Sequence, residues 1–135
     1  VQTAAAPASL QAWEVTFHDD FMPEFRAFTL DERRELVAVA RAVELAGPKA
    51  GRSHVDTHKG SKHDNMKELR SKAHNGSEVW RAAFAFDLQR RACVLVAGSK
   101  QGRDEKAFYK RLMTTADKRF DDHLGNLPKA RKKSP

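Results

Sequence analysis

"NMKELRSKAHNGSEVWRAAFAFD", residues 65–87, decides how the rest of this chain is read. Two runs with strand character, MKELR and EVWRAAFAFD, flank a polar turn, SKAHNGS. Alternate side chains on a strand share a face. Trp80, Ala82, Phe84 and Phe86 therefore form a core face, and Arg81, Ala83, Ala85 and Asp87 form the other. The second face is charged at its ends and small in the middle, which predicts an open surface beside Arg81. On MKELR, Met66, Glu68 and Arg70 fall together, and a hairpin can set Glu68 and Arg70 beside Arg81. Such charges have two readings. Exposed strands carry them to block aggregation, with cross-strand Glu–Arg pairs as ordinary surface features. Alternatively, the face is a charged cradle for a ligand.

Outward from the hairpin, ACVLVAGSK reads as a third strand, with Lys100 at the rim of the same surface. DEKAFYKRLMTTADKRFDDHL (104–124) reads as a helix that brings Tyr109 toward it. Upstream, WEVTFH (13–18) alternates like a strand. A helix follows, with Asp19 or Asp20 as its cap, Pro23 in its first turn and Phe21, Phe25 and Phe28 on one face. In TLDERRELVAVARAVELAGP (29–48), Thr29 and Glu32 form a capping box. Leu36, Val37, Ala40 and Val43 make its apolar stripe, and Gly47 and Pro48 stop the helix. KAGRSHVDTHKGSKHD (49–64) reads as a loop with short structure. The order is β-α-α-β-β-β-α, an α+β arrangement. Residues 1–12 are expected to be a flexible arm, 13–124 the domain, and 125–135 a basic disordered tail.

The 135 residues suit one domain. Lys and Arg outnumber Asp and Glu by 25 to 18, a net charge of +7 that fits either a polyanionic partner or plain solubility. A single cysteine, Cys93, excludes an internal disulfide and suits a reducing cytosol. No apolar run is long enough to span a bilayer. His54 and His58 have zinc-compatible i, i+4 spacing, but Gly51 and Gly60 bracket them and no further ligand is suitably spaced. No metal or other cofactor is expected. AGSKQG lacks phosphate-loop spacing. His63 reads as a loop-ordering hydrogen bonder, and His123 as a minor candidate for an acid.

A carboxylate, several cations and a phenol suit RNA cleavage. The ribose 2′-OH attacks the adjacent phosphate, a base takes its proton, and cations stabilise the charge growing on phosphorus. No metal is required.

Four stretches, GSKHDNMKELR, WRAAFAFD, VLVAGSKQG and AFYKRLMTTADKRFDDHL, together resemble the RelE/HigB toxins of bacterial type II toxin–antitoxin modules, nearest the phage-derived HigB-like branch. The resemblance covers roughly Trp13 to Leu124. It implies a RelE-like, microbial-RNase-like twisted antiparallel sheet with two N-terminal helices and a C-terminal helix. It also implies a ribosome-dependent mRNA endoribonuclease acting in the cytoplasm on mRNA in the 70S ribosome. The implied partner is a cognate helix-turn-helix antitoxin, through which the complex reaches operator DNA. Carried over position by position, Arg81 matches the arginine at the scissile phosphate, Lys100 a second cation, Arg70 a strand cation facing mRNA, and Tyr109 an aromatic that stacks on or orients a base. Glu68 is either the base or a charge partner of Arg70 or Arg81. Lys59, Lys62, Lys67 and Lys72 are expected to grip RNA or ribosomal phosphates. Two alternatives stand beside this reading: a ParE-like gyrase poison, and a non-enzymatic RNA-binding module.

Overall fold

The computed structural model describes residues 14–46, 55–57, 61–63, 66–87, 89, 91–102 and 104–127. Trp13, Gly47, Pro48, His54, His58 and Lys59, the 1–12 arm and all of the basic tail beyond residue 127 lie outside these. The elements are β1 (Glu14–Phe17), α1 (Phe21–Ala27), α2 (Leu30–Ala46), β2 (Val55–Thr57), β3 (Met66–Ala73), β4 (Glu78–Phe86), β5 (Arg91–Ser99) and α3 (Glu105–Asn126). They build one five-stranded sheet in the order β1-β5-β4-β3-β2. The β3–β4 and β4–β5 ladders are antiparallel, as expected, and β2–β3 is antiparallel too. Two features go beyond that expectation. The first strand runs parallel to β5, so the sheet is mixed, and the 49–64 segment contributes the short strand β2.

Helices cover both faces. On one, Phe21, Leu36, Val39 and Val43 of α1 and α2 pack on Leu69, Ala82, Phe84, Phe86 and Val94. On the other, Phe108, Leu112, Met113, Ala116 and Phe120 of α3 pack on Met66, Ala83, Ala85, Cys93 and Leu95. A strand buried on both faces has no polar alternation to show, which explains the unbroken runs AAFAF and ACVLVAG. It also corrects the open-surface expectation: Ala83 and Ala85 are fully buried. Their small side chains let α3 approach the sheet closely. Cys93, 1% exposed, is a core residue whose thiol is pushed up to about 11 by burial.

Local details carry further differences. The capping box forms as read: Thr29 N–H donates to Glu32 Oε1 at 2.9 Å and Glu32 N–H to Thr29 Oγ1 at 3.2 Å. On α2 the buried stripe is Leu36, Val39, Ala40 and Val43, whereas Val37 is 42% exposed. Asp20 precedes α1 but makes no side-chain cap bond. β3 continues through Ser71, Lys72 and Ala73, three residues read as turn, because Ala73 is buried and pairs with Glu78. The reversal is confined to His74–Ser77, where His74, Asn75 and Gly76 take φ of 57°, 60° and 84°. Left-handed conformations suit Asn and Gly. Between Ala83 and Phe84 the β4–β5 ladder slips, leaving Leu95 as the extra residue of a bulge. Its carbonyl accepts from Arg119 Nη1 at 2.8 Å, and the same guanidinium pairs with Glu24 of α1. One arginine thus ties α3, β5 and α1 together. No helix among the described residues is long and apolar enough to cross a membrane.

Candidate active site

The part of the sheet that α3 leaves uncovered lies beyond its first turns, and the charged strand residues occupy it. β3 carries Glu68 and Arg70 on the α3 side, and β4 sets Arg81 directly opposite Arg70. Two cations facing each other across a ladder repel. Glu68 relieves this: its Oε2 lies 2.8 Å from Arg81 Nε and 3.5 Å from Arg70 Nε. Tyr109, from the second turn of α3, closes the group. Arg81 Nε donates to the Tyr109 hydroxyl at 3.2 Å, and that hydroxyl lies 3.4 Å from Glu68 Oε2. Arg81 Nη1 also donates to the carbonyl of Trp80 at 2.9 Å, fixing the plane of the guanidinium. On its β5 side Arg81 faces Gly98, which presents no side chain.

Lys100 follows β5 directly. Its backbone N–H donates to Val79 O at 2.9 Å, which holds it beside β4. The ammonium lies 5.2 Å from the Tyr109 ring centroid, a cation–π distance, and 3.9 Å from Glu105 Oε1. The five candidates Glu68, Arg70, Arg81, Lys100 and Tyr109 therefore come together from three strands or strand ends and one helix. Glu68 and Arg81 are 12% and 17% exposed at the side chain, so this polar cluster is reachable yet partly shielded. The long interval from Lys100 to Tyr109 does not separate them, because the chain turns back at Gly102, at φ 68°, before α3 begins.

The four lysines expected to bind RNA do not form one patch. Lys59 is outside the described residues. Lys62 pairs with Asp121 at 2.6 Å near the C-terminal end of α3, which raises its pKa through that hydrogen bond. Lys67 pairs with Phe84 in the ladder and so belongs to the α2 face, whereas Lys72 is exposed on the side of Arg70. His63 bonds to Asp121 at 2.9 Å and packs on Phe120, the ordering role read for it. His123 is held by the buried Asp87 at 2.8 Å, at the opposite end of β4 from Arg81. That position removes it as an acid for this site.

Two groupings were not visible in the sequence. A cleft of about 390 Å³ between α2 and the hairpin is lined by Glu35, Val39, Lys72 and Val79 together with Arg70 and Arg81. At the hairpin turn, His74 Nε2 lies 2.8 Å from Glu32 and 3.9 Å from Glu78. These three could offer ligand atoms to a cation. Other partners account for them: Glu32 closes the capping box and Glu78 accepts from Trp80 Nε1 at 3.0 Å. The hydrogen bond to Glu32 raises the His74 pKa. Burial pulls the Glu32 carboxyl upward, but bonds from His74 and Thr29 outweigh it and hold it low.

The family model of the "Phage derived protein Gp49-like" family matches residues 23–121. The chain belongs to the Gp49-like family. The chain is similar to the candidate toxin HigB2 of Mycobacterium tuberculosis, 44% identical over 107 residues that cover 76% of this chain and 52% of HigB2. The candidate toxin HigB3 of the same organism is 34% identical over 102 residues, covering 76% of this chain and 85% of HigB3. This chain thus spans about half the length of HigB2. Among solved structures, the Escherichia coli toxin RelE, in the free state and with two arginines replaced by alanine, superposes with a TM-score of 0.57. It covers 80% of this chain and 97% of its own at 16% identity. At that identity the likeness concerns the fold, which a Gp49-like chain therefore shares with RelE. The family resemblance drawn from the four motifs is borne out.

Proposed function

We propose that this Gp49-like protein is the toxin of a toxin–antitoxin module and cleaves mRNA on the ribosome. The observation that carries the reading is the convergence of Glu68, Arg70, Arg81 and Tyr109 around one carboxylate oxygen, with Lys100 beside them. The names of HigB2 and HigB3 support the toxin role.

In the proposed reaction, the guanidiniums of Arg81 and Arg70 receive the non-bridging oxygens of the scissile phosphate. Preorganised donors of this kind stabilise the charge that grows on phosphorus. Their transfer to phosphate releases Glu68 from its ion pairs. The carboxylate then takes the 2′-OH proton as the ribose oxygen attacks phosphorus. The P–O5′ bond breaks, and the leaving oxygen takes a proton from the Lys100 ammonium. The products are a 2′,3′-cyclic phosphate and a 5′-OH end. Tyr109 orients the substrate through its ring and hydroxyl. The exposed Lys72 meets neighbouring RNA phosphates, a salt-sensitive contact. A cognate antitoxin restrains the activity.

Primer extension on an mRNA in a reconstituted translation reaction tests this. Wild type is expected to cut only with ribosomes present, and Arg81→Ala to cut roughly 10²–10³-fold more slowly. Equal cleavage by both, at equal folded protein, overturns it. Growth arrest without cleavage points instead to gyrase, tested by supercoiling.

A further inference from the structure

The β3–β4 turn gathers ionisable groups that the proposed cleavage does not use. His74 and Glu78 flank the turn, and Glu32 stands in the first turn of α2. His74 Nε2 lies 2.8 Å from Glu32 Oε2 and 3.9 Å from Glu78 Oε1. We propose that Glu32, His74 and Glu78 form a zinc site that clamps the hairpin turn to α2, with water completing the coordination. The inference does not depend on the RNA reading of the Glu68 cluster.

The donor set suits zinc. Zinc takes imidazole nitrogen and carboxylate oxygen at about 2.0–2.2 Å, which places two tetrahedral ligands about 3.3 Å apart. The observed 2.8 and 3.9 Å bracket that value, so small side-chain adjustments admit the ion. The side chains of Glu32, Glu78 and His74 are 14%, 32% and 39% exposed, open to an ion from solvent. An imidazole ligand disfavours magnesium and calcium, which prefer oxygen alone. Metal sites also hold each ligand from behind. Here Thr29 N–H fixes Glu32 Oε1, and Trp80 Nε1 fixes Glu78 Oε1. The Asp31 carboxylate accepts the His74 backbone N–H and stands 3.9 Å from His74 Nδ1. These bonds orient the carboxylates of Glu32 and Glu78 without exhausting them, because two oxygens offer about four acceptor positions. The ion replaces the proton that joins His74 Nε2 to Glu32 Oε2, and that proton leaves to water.

Zinc itself is the probe. The full chain, stripped with a chelator, is titrated with zinc chloride by calorimetry, and the His74 ring is followed by NMR. Saturable binding of a single ion is expected, with the ring signals shifted. Tm should rise by roughly 5 °C or more at zinc about 100 times its Kd. Glu32→Gln keeps the capping box, since glutamine also serves there. His74→Asn keeps a residue that accepts a left-handed backbone. Both variants therefore fold, and each should bind zinc at least about 100-fold more weakly. Asp31→Asn should bind about 10-fold more weakly, the cost of losing an outer partner. His54→Ala with His58→Ala removes the other zinc-compatible spacing in the chain and should bind as wild type does. No saturable binding by the wild type, or an unshifted His74 ring, overturns the proposal. So does binding that survives Glu32→Gln and His74→Asn, that falls with the His54 and His58 pair instead, or that magnesium matches.

Discussion

Replacing Glu68 with glutamine separates the two roles open to its carboxylate. The amide keeps size and one acceptor oxygen, so the contact to Arg81 Nε at 2.8 Å survives as a neutral hydrogen bond. What is lost is the negative charge between Arg70 and Arg81, which face each other in the β3–β4 ladder. A hydrogen bond to a charged group contributes about 1.5–3 kcal/mol and a neutral one about 0.5–1.5 kcal/mol. The fold should therefore lose about 1–2 kcal/mol, which a domain stable by about 5–15 kcal/mol survives. A missing general base costs more in rate, roughly 10²–10⁴-fold, or about 3–5 kcal/mol of barrier. Single-turnover cleavage of ribosome-bound mRNA measures the second quantity, and urea midpoints on the same preparations measure the first. We expect Glu68→Gln to be folded and slowed by at least about 10²-fold, with Glu68→Ala no faster. Cleavage within about tenfold of wild type, alongside the 1–2 kcal/mol loss of stability, would refute the reasoning. Glu68 would then be a tether for the arginines, and the base would lie elsewhere.

Three further outcomes follow from the packing. Thr29→Ala removes the capping-box acceptor of Glu32 N–H and should cost about 1 kcal/mol, read as a Tm lower by roughly 4 °C. Phe120→Ala empties a site that is 1% exposed beneath His63 and should cost about 3–5 kcal/mol in chemical denaturation, the largest loss of the set. The His74–Glu32 contact gives stability a pH window. The His74 pKa is raised from 6.5, so its contribution is complete below that pH and fades as pH rises through the folded value. Glu32 is lowered from 4.5, so its contribution is complete above that pH and fades as pH falls through the folded value. The Tm difference between wild type and His74→Ala should peak between pH 4.5 and 6.5 and shrink on both sides, and a difference flat from acid to alkaline pH would contradict it.

Much of this architecture is legible in the chain because local chemistry and tertiary packing agree. The capping box, the phenylalanine stripe of α1 and the alternation through Trp80 and Phe86 each carry their own signal. The grouping of Glu68, Arg70 and Arg81 follows from the period of two and one hairpin. What stays hidden depends on partners distant in sequence. Ala83 and Ala85 look the same whether a helix covers them or water does, and only the docking of α3 decides. Val37 and Val39 are equivalent in composition, and the direction of the sheet selects between them. Glu35 reads as one more acid on a solvated helix until the hairpin stands beside it. Lys62 looks like a neighbour of Lys67 and Lys72, yet Asp121 holds it at the far end of α3.

The parallel pairing of β1 with β5 also sets an order of assembly. Val15 meets Ala92 and Phe17 meets Val94, so among the described residues the first strand has no ladder partner until β5 has been synthesised. Contacts of such long sequence separation form late and slow folding. Tyr109 arrives later still, on α3. On the nuclease reading, a nascent chain at the ribosome would carry Glu68, Arg70 and Arg81 before it carried a working site. The topology would then delay activity until α3 has been made and docked.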